Sequence, residues 1–253
     1  MRNIWTIARR EYKHYFSTPI SYAVACAILL IVGMIFALTI LAANQSALQG
    51  GAFGGGSAPD IKGIAGTFTF MLVLSVPALT MRLISDENRM GTIELLLTAP
   101  VRDWELIIGK WLSGLLFLLT VLAVTLIYPI IMNMLVTPGI DQGLMISSYL
   151  GLILVSAAFL GVGVGVSSLF GNQVASFFVT LMLFVVLWWM FGFLAQYVPG
   201  SAGNVFTYLD MGSRFNNSFN AGVINLSDIV YYLSLTVLGL FIGTAAVDAR
   251  RWS

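Results

Sequence analysis

Few residues in this chain could carry out covalent chemistry. Its 253 residues include one histidine, His14, and one cysteine, Cys26. Nucleophilic catalysis needs a hydroxyl or thiol beside a base, and a metal site needs clustered His, Cys or carboxylates. His14 stands in a basic, aromatic segment and reads as a polar-face residue, while Cys26 stands in an apolar run and reads as a small core or lipid-facing side chain. With a single cysteine no internal disulfide can form. A phosphate-cradling loop requires Gly-Lys-Ser/Thr at the start of a helix. The one Gly-Lys pair, Gly109-Lys110, is followed by Trp111. The expectation is a chain that binds no metal or nucleotide of its own.

The segment whose pattern demands an explanation is ENRMGTIELLLTAPVRDWELIIGK, residues 87–110, with four acids and three bases between two strongly apolar stretches. Gly91 permits a sharp turn, Thr92 can cap a helix, and Glu94 falls in the first turn, where the helix dipole favours an acid. Leu95, Leu96 and Leu97 then form an apolar knob, and Pro100 stops the short helix. Three consecutive leucines on a polar loop need burial. The protein's own N-terminal helix, the inner leaflet or a soluble partner would each supply it, with Glu87 and Arg89 beside the knob for polar contacts.

The elements that hold this loop are set by composition. The chain is 58% hydrophobic and 9% charged, with a mean hydropathy of +0.92, whereas a soluble domain carries roughly 25% charged residues. A net charge of +1 with scattered bases excludes a nucleic-acid stripe. Crossing about 30 Å of hydrocarbon takes roughly 20 helical residues, and six runs qualify: 20–42, 64–83, 106–136, 144–170, 174–197 and 229–247. The runs lack the alternation of a barrel strand, so the fold expected is all-α, a single membrane domain of six transmembrane helices over residues 1–253.

Bases mark the cytoplasmic side. Arg2, Arg9, Arg10, Lys13, Arg82, Arg89, Arg102, Lys110, Arg250 and Arg251 fall on one side, Lys62 and Arg214 on the other. Both termini and the 84–105 loop are therefore expected in the cytoplasm. Residues 1–16 read as an amphipathic interfacial helix, with Trp5, Ala8, Tyr12, Tyr15 and Phe16 on one face and Arg2, Thr6, Arg9, Arg10 and Lys13 on the other. Ser17 or Thr18 would cap the first span ahead of Pro19. In the external segment 198–228, Phe206, Tyr208, Leu209, Phe215 and Phe219 predict short helices that dip into or lie on the outer leaflet, and Asn225 or Ser227 would cap the last span.

No ionisable residue is expected near a span midplane, where one would be kept only for use. Transport driven by ions, and intramembrane proteolysis, lose their usual signatures. Pro77 and Pro129 predict kinks. Ala157, Gly161 and Gly165 recur every four residues, a small-residue face for close helix packing, either within the chain or at a dimer seam.

Taken together, residues 87–110 with IARREYKHYFSTPISY, VPALTMRLISDE, SSLFGNQVASF, GVINLSDIVYYLS and DARRW resemble the permeases of ABC-2 type ATP-binding-cassette exporters, closest to the gliding-motility-associated branch. The resemblance implies an N-terminal elbow helix at 1–16 and a coupling helix within Gly91–Thr98 seated in a separate cytoplasmic ABC ATPase subunit, with Phe170–Val174 as a second contact. It also implies a non-catalytic subunit in a bacterial or archaeal plasma membrane, a second permease chain forming a homodimer, ATP and magnesium on the partner ATPase, and room for an auxiliary membrane or periplasmic subunit. The rival reading is a membrane anchor or scaffold that recruits a cytoplasmic ATPase or assembly partner, as in a motility or maturation complex, without transport.

Overall fold

The structure, a computed structural model, describes residues 2–48, 61–83, 102–135, 139–198 and 200–251. Among these residues every regular element is helical. An amphipathic helix, α1 (Arg2–Tyr15), precedes α2 (Pro19–Leu48), α3 (Lys62–Thr80), α4 (Asp103–Thr125), α5 (Ile127–Leu135) and α6 (Gln142–Leu169). There follow α7 (Gln173–Val185), a π-helical turn (Val186–Met190), α8 (Phe191–Tyr197), α9 (Ser201–Leu209), α10 (Met211–Asn217), a short 3-10 turn (Phe219–Ala221) and α11 (Leu226–Arg251). Six of these stretches are long and apolar enough to cross a membrane: Pro19–Gln45, Lys62–Thr80, Asp103–Leu135, Gln142–Leu169, Gln173–Tyr197 and Leu226–Ala249. The protein is a multi-pass, all-helical membrane protein.

Its centre is α6. Of the most apolar window of that helix 78% is buried within the chain, against 11% for α2 and 17% for α7–α8, so α6 is the core and the other two are edges. Small residues explain why. A Cβ on Gly161 would lie 2.9 Å from the Thr236 carbonyl oxygen, and one on Gly165 would lie 2.5 Å from that of Gly239. On the far side of the contact, a Cβ on Gly243 would stand 3.6 Å from Gly165 Cα and 3.3 Å from Ile107 of α4. Backbone meets backbone between α6 and α11, the approach that van der Waals packing requires when lipid is as apolar as leucine. Ala157 is buried on the same helix and gives its carbonyl to Trp111 Nε1 of α4 at 3.0 Å. The small-residue face is therefore occupied inside one chain.

Two spans are interrupted, each for a physical reason. Pro129 has no N–H for the Thr125 carbonyl, and the third span breaks between α4 and α5 at that point. The Tyr149 hydroxyl of α6 donates to the Thr125 carbonyl at 3.1 Å and so satisfies it. In the fifth span the π turn carries no proline. Gly212 lies so close to the Trp188 carbonyl that any side chain there would collide, and Trp188 packs on Phe159 and Phe215 at ring separations of 5.8 and 6.0 Å. The widened turn is where α10 presses against the fifth span.

Residues 200–225 form a folded cap on the bundle. Phe215 and Phe219 are fully buried, and the Phe219 carbonyl accepts the Ser147 hydroxyl at 2.7 Å. Arg214 is sandwiched 4.3 and 4.7 Å from the Tyr208 and Tyr231 rings and donates to Asp228 at 2.5 Å. Asn225 does precede α11, but its side chain turns to Ser218 and Asp228 and leaves the helix start uncapped by it. Ser17 and Thr18 likewise do not cap α2 through their side chains. Both hydroxyls donate to the His14 carbonyl, at 2.8 and 2.9 Å, and so close the C-terminus of α1.

Gly165→Val is expected to cost about 1–3 kcal/mol by overpacking and to lower the thermal unfolding midpoint of the purified protein in detergent. Gly171→Ala, placed where a Cβ meets nothing within 4 Å, should leave the midpoint unchanged. Equal midpoints for Gly165→Val and wild type would show that α11 is not seated on α6.

Candidate functional site

The loop singled out by its sequence falls largely in residues 84–101. Glu87, Arg89, Gly91, Thr92, Glu94, Leu95, Leu96, Leu97 and Pro100 therefore lie outside the described residues. Both roots of the loop are described, and they are where its neighbours hold it.

The incoming root is the C-terminus of α3, whose last carbonyls lack intrahelical partners. Leu83 is buried, and its carbonyl accepts Lys110 Nζ at 2.7 Å. Lys110 lies two turns into the third span and is itself buried at 3% exposure. It stands near the start of the span and away from its midplane. A cation is kept inside α4 because it meets the negative end of α3. Thr80, one turn back, fits against Gly163 of α6, where a Cβ would lie 2.7 Å from the threonine hydroxyl.

The outgoing root is the start of α4. Asp103 and Glu105 occupy its first turn, as the dipole favours. Glu105 Oε2 accepts from the Arg102 backbone N–H at 3.2 Å and from Asn3 Nδ2 at 3.2 Å. These hydrogen bonds to the ionised form hold the Glu105 carboxylate and tie α1 to the root.

From there α1 runs alongside α4. A Cβ on Gly109 would lie 2.8 Å from the Ile7 side chain. Tyr15 stacks on Phe117 at 5.1 Å, and the Tyr12 hydroxyl is 2.9 Å from Thr120 Oγ1. Residues 3 to 15 of α1 and 105 to 120 of α4 advance together, so the amphipathic helix braces the base of the third span along its length. The aromatic face of α1 is divided between α4 and the exterior of the bundle. Ala8 and Tyr15 are buried, but Trp5 is 57% exposed and shares a groove with Arg9 and Lys13. Glycines at 109 and 114 on α4 select which side of α1 can approach, and a helical wheel of α1 alone does not contain them. The Tyr15 hydroxyl is buried without a hydrogen-bond partner; burial, together with the nearby Glu11 charge, pushes its pKa well above the usual phenol value.

The other expected contact, Phe170–Val174, forms the turn between α6 and α7. Asn172 caps α7 by accepting the Val174 N–H at 2.9 Å. The turn thus stands at the same end of the bundle as the 84–101 roots, since α3 and α6 both finish there and Thr80 meets Gly163. Gly161 and Gly165 face α11, away from this surface. Among the described residues no cluster of His, Cys, Asp or Glu could hold a metal ion.

The sequence model of the family described as ABC-2 family transporter protein matches residues 56–247. No curated protein matches the chain.

Two variants test this arrangement. Lys110→Met keeps the aliphatic stem and deletes the donor, leaving a buried carbonyl without it at a local cost of about 1–3 kcal/mol; native-state trypsin cleavage at Arg82 should accelerate, and an unchanged rate would show that the tie does not hold the root. Tyr15→Phe removes an unpaired buried hydroxyl, so its unfolding midpoint should equal or exceed wild type at neutral pH. Above about pH 10 the unfolded wild-type tyrosine ionises while the folded one stays neutral. The advantage of the variant should therefore widen there, and a lower midpoint than wild type throughout would mean that the hydroxyl has a partner.

Proposed function

The chain belongs to the ABC-2 family of transporter proteins, a family of membrane-embedded transport subunits, and from that premise we propose that it is the permease of an ATP-driven exporter whose ATPase is a separate cytoplasmic subunit. The 84–101 segment is the element that receives the ATPase. Leu95, Leu96 and Leu97 fill a cleft in it, Glu87, Arg89 and Glu94 make polar contacts around them, Gly91, Thr92 and Pro100 shape the short helix, and Phe170–Val174 forms a second, smaller contact. This chain binds no nucleotide; ATP and magnesium act on the partner.

The observation that supports this reading best is the way the two roots are held. Leu83 is tied to Lys110, and Arg102 through Glu105 to Asn3. Adjacent ends joined by one buried hydrogen bond, with the outgoing end also tied to α1, make a loop that transmits force into two spans at once instead of swinging freely. The orientation follows from the bases: the termini and the loop face the cytoplasm. The sparse burial of α2 and α7–α8 supports a second copy of the chain, with these outward apolar edges available to it.

The test is reconstitution in vesicles with the ATPase that co-purifies. Leu96→Asp places a charge where an apolar side chain worth about 1.5–3 kcal/mol is buried, so ATPase binding should weaken ten-fold or more and export should stop. If the variant only mislocalises the partner while ATP turnover and export persist, the chain is a scaffold and the coupling reading is wrong.

A further inference from the structure

Helix α1 does not close completely on α4. A groove of about 620 Å³ remains between them, open along one side. Arg9 and Lys13, one helical turn apart on α1, form its polar rim, and Leu116, Leu119 and Ala123 of α4 form its floor. Trp5 stands at the end nearer the N-terminus, and the Tyr12–Thr120 hydrogen bond bridges the two helices behind.

We propose that this groove binds one anionic phospholipid, with the phosphate between Arg9 and Lys13 and an acyl chain along Leu116, Leu119 and Ala123. Three observations favour that occupant. Arg9 and Lys13 are exposed and, among the described residues, neither forms a salt bridge. The one acid of α1, Glu11, acts on Tyr15, on the buried side of the helix, so the rim carries uncompensated positive charge. The floor continues for two helical turns into a membrane span, about 10 Å at 1.5 Å per residue, which suits a chain and gives nothing to a free phosphate ion. An exposed tryptophan beside paired cations is also the composition of a headgroup-level site. A zwitterionic lipid would match the two cations less well, because its own ammonium opposes them.

The site stands apart from the transport reading and would exist in a scaffold equally. The test uses the full chain purified in detergent and titrated with phosphatidylglycerol or phosphatidylcholine of identical acyl chains, with bound lipid counted by native mass spectrometry. One saturable phosphatidylglycerol is expected, held more tightly than phosphatidylcholine. Near a membrane each cation is worth about five-fold in affinity, so Arg9→Gln and Lys13→Gln should each weaken binding about five-fold and the pair about 25-fold. Arg10→Gln removes the same charge outside the groove and should change affinity by less than about two-fold; it also reports whether a loss of charge on α1 unfolds the helix. Leu119→Asn should weaken phosphatidylglycerol binding while leaving the count of cations intact. The proposal is overturned if Arg10→Gln is as damaging as Arg9→Gln, if the two lipids bind equally, or if millimolar inorganic phosphate displaces the lipid.

Discussion

The backbone contact between α6 and α11 is the constraint on which the other placements rest. In lipid no hydrophobic force presses two apolar helices together, so close packing must come from shape. Gly161 and Gly165 against Thr236 and Gly239 bring two backbones within touching distance. Gly243, one turn beyond Gly239 on α11, then leaves room for Ile107 of α4. Once α4 is seated there, its glycines at 109 and 114 receive Ile7 and Tyr15 of α1. The amphipathic helix is thus positioned by a succession of small residues that begins in the middle of the bundle.

A second regularity concerns polar groups at helix breaks. Each unsatisfied backbone group in hydrocarbon costs several kcal/mol, and here three carbonyls freed or left over at helix breaks meet a side chain from another element. Tyr149 serves Thr125 behind Pro129, Lys110 serves Leu83 at the end of α3, and Ser147 serves Phe219 in the cap. Irregular backbone becomes a set of fixed joints in this way. The same logic explains why Arg214 and Asp228 are tolerated at low exposure: two rings, a carbonyl and two further side chains complete their contacts.

How much of this was legible beforehand depends on where the cause lies. Six spans and an all-helical fold follow from the length and continuity of the apolar runs, and those are properties of the chain alone. Pro129 announces its break because a missing N–H is visible in one letter. The π turn at Val186–Met190 does not, because its cause is Gly212, some two dozen residues away, pressing on Trp188. The burial of Lys110 is illegible for a similar reason: it depends on Leu83, across a loop whose length says nothing about how its ends meet. Periodicity does not tell that Ala8 and Tyr15 are buried while Trp5 is exposed, because it assumes one apolar environment, whereas α1 has α4 on one side and an open groove on another. The coupling residues themselves were singled out from sequence pattern and family resemblance, and their geometry lies outside the described residues.

On the permease reading, the arrangement of the roots decides where an applied force goes. A pull on the 84–101 segment enters α3 and α4 together, because Lys110 joins their ends. From α3 it reaches α6 through Thr80 against Gly163, and from α4 it reaches the same helix through Trp111 on the Ala157 carbonyl. Those two landing points are six residues apart on α6, under two turns. Since α6 is locked to α11 backbone against backbone, the four helices respond as one body. The edges α2 and α7–α8 share little buried surface with that body, so relative movement costs least there. Work delivered at the loop is then spent on displacing a rigid core against its edges, where a second chain and the translocation path would meet it.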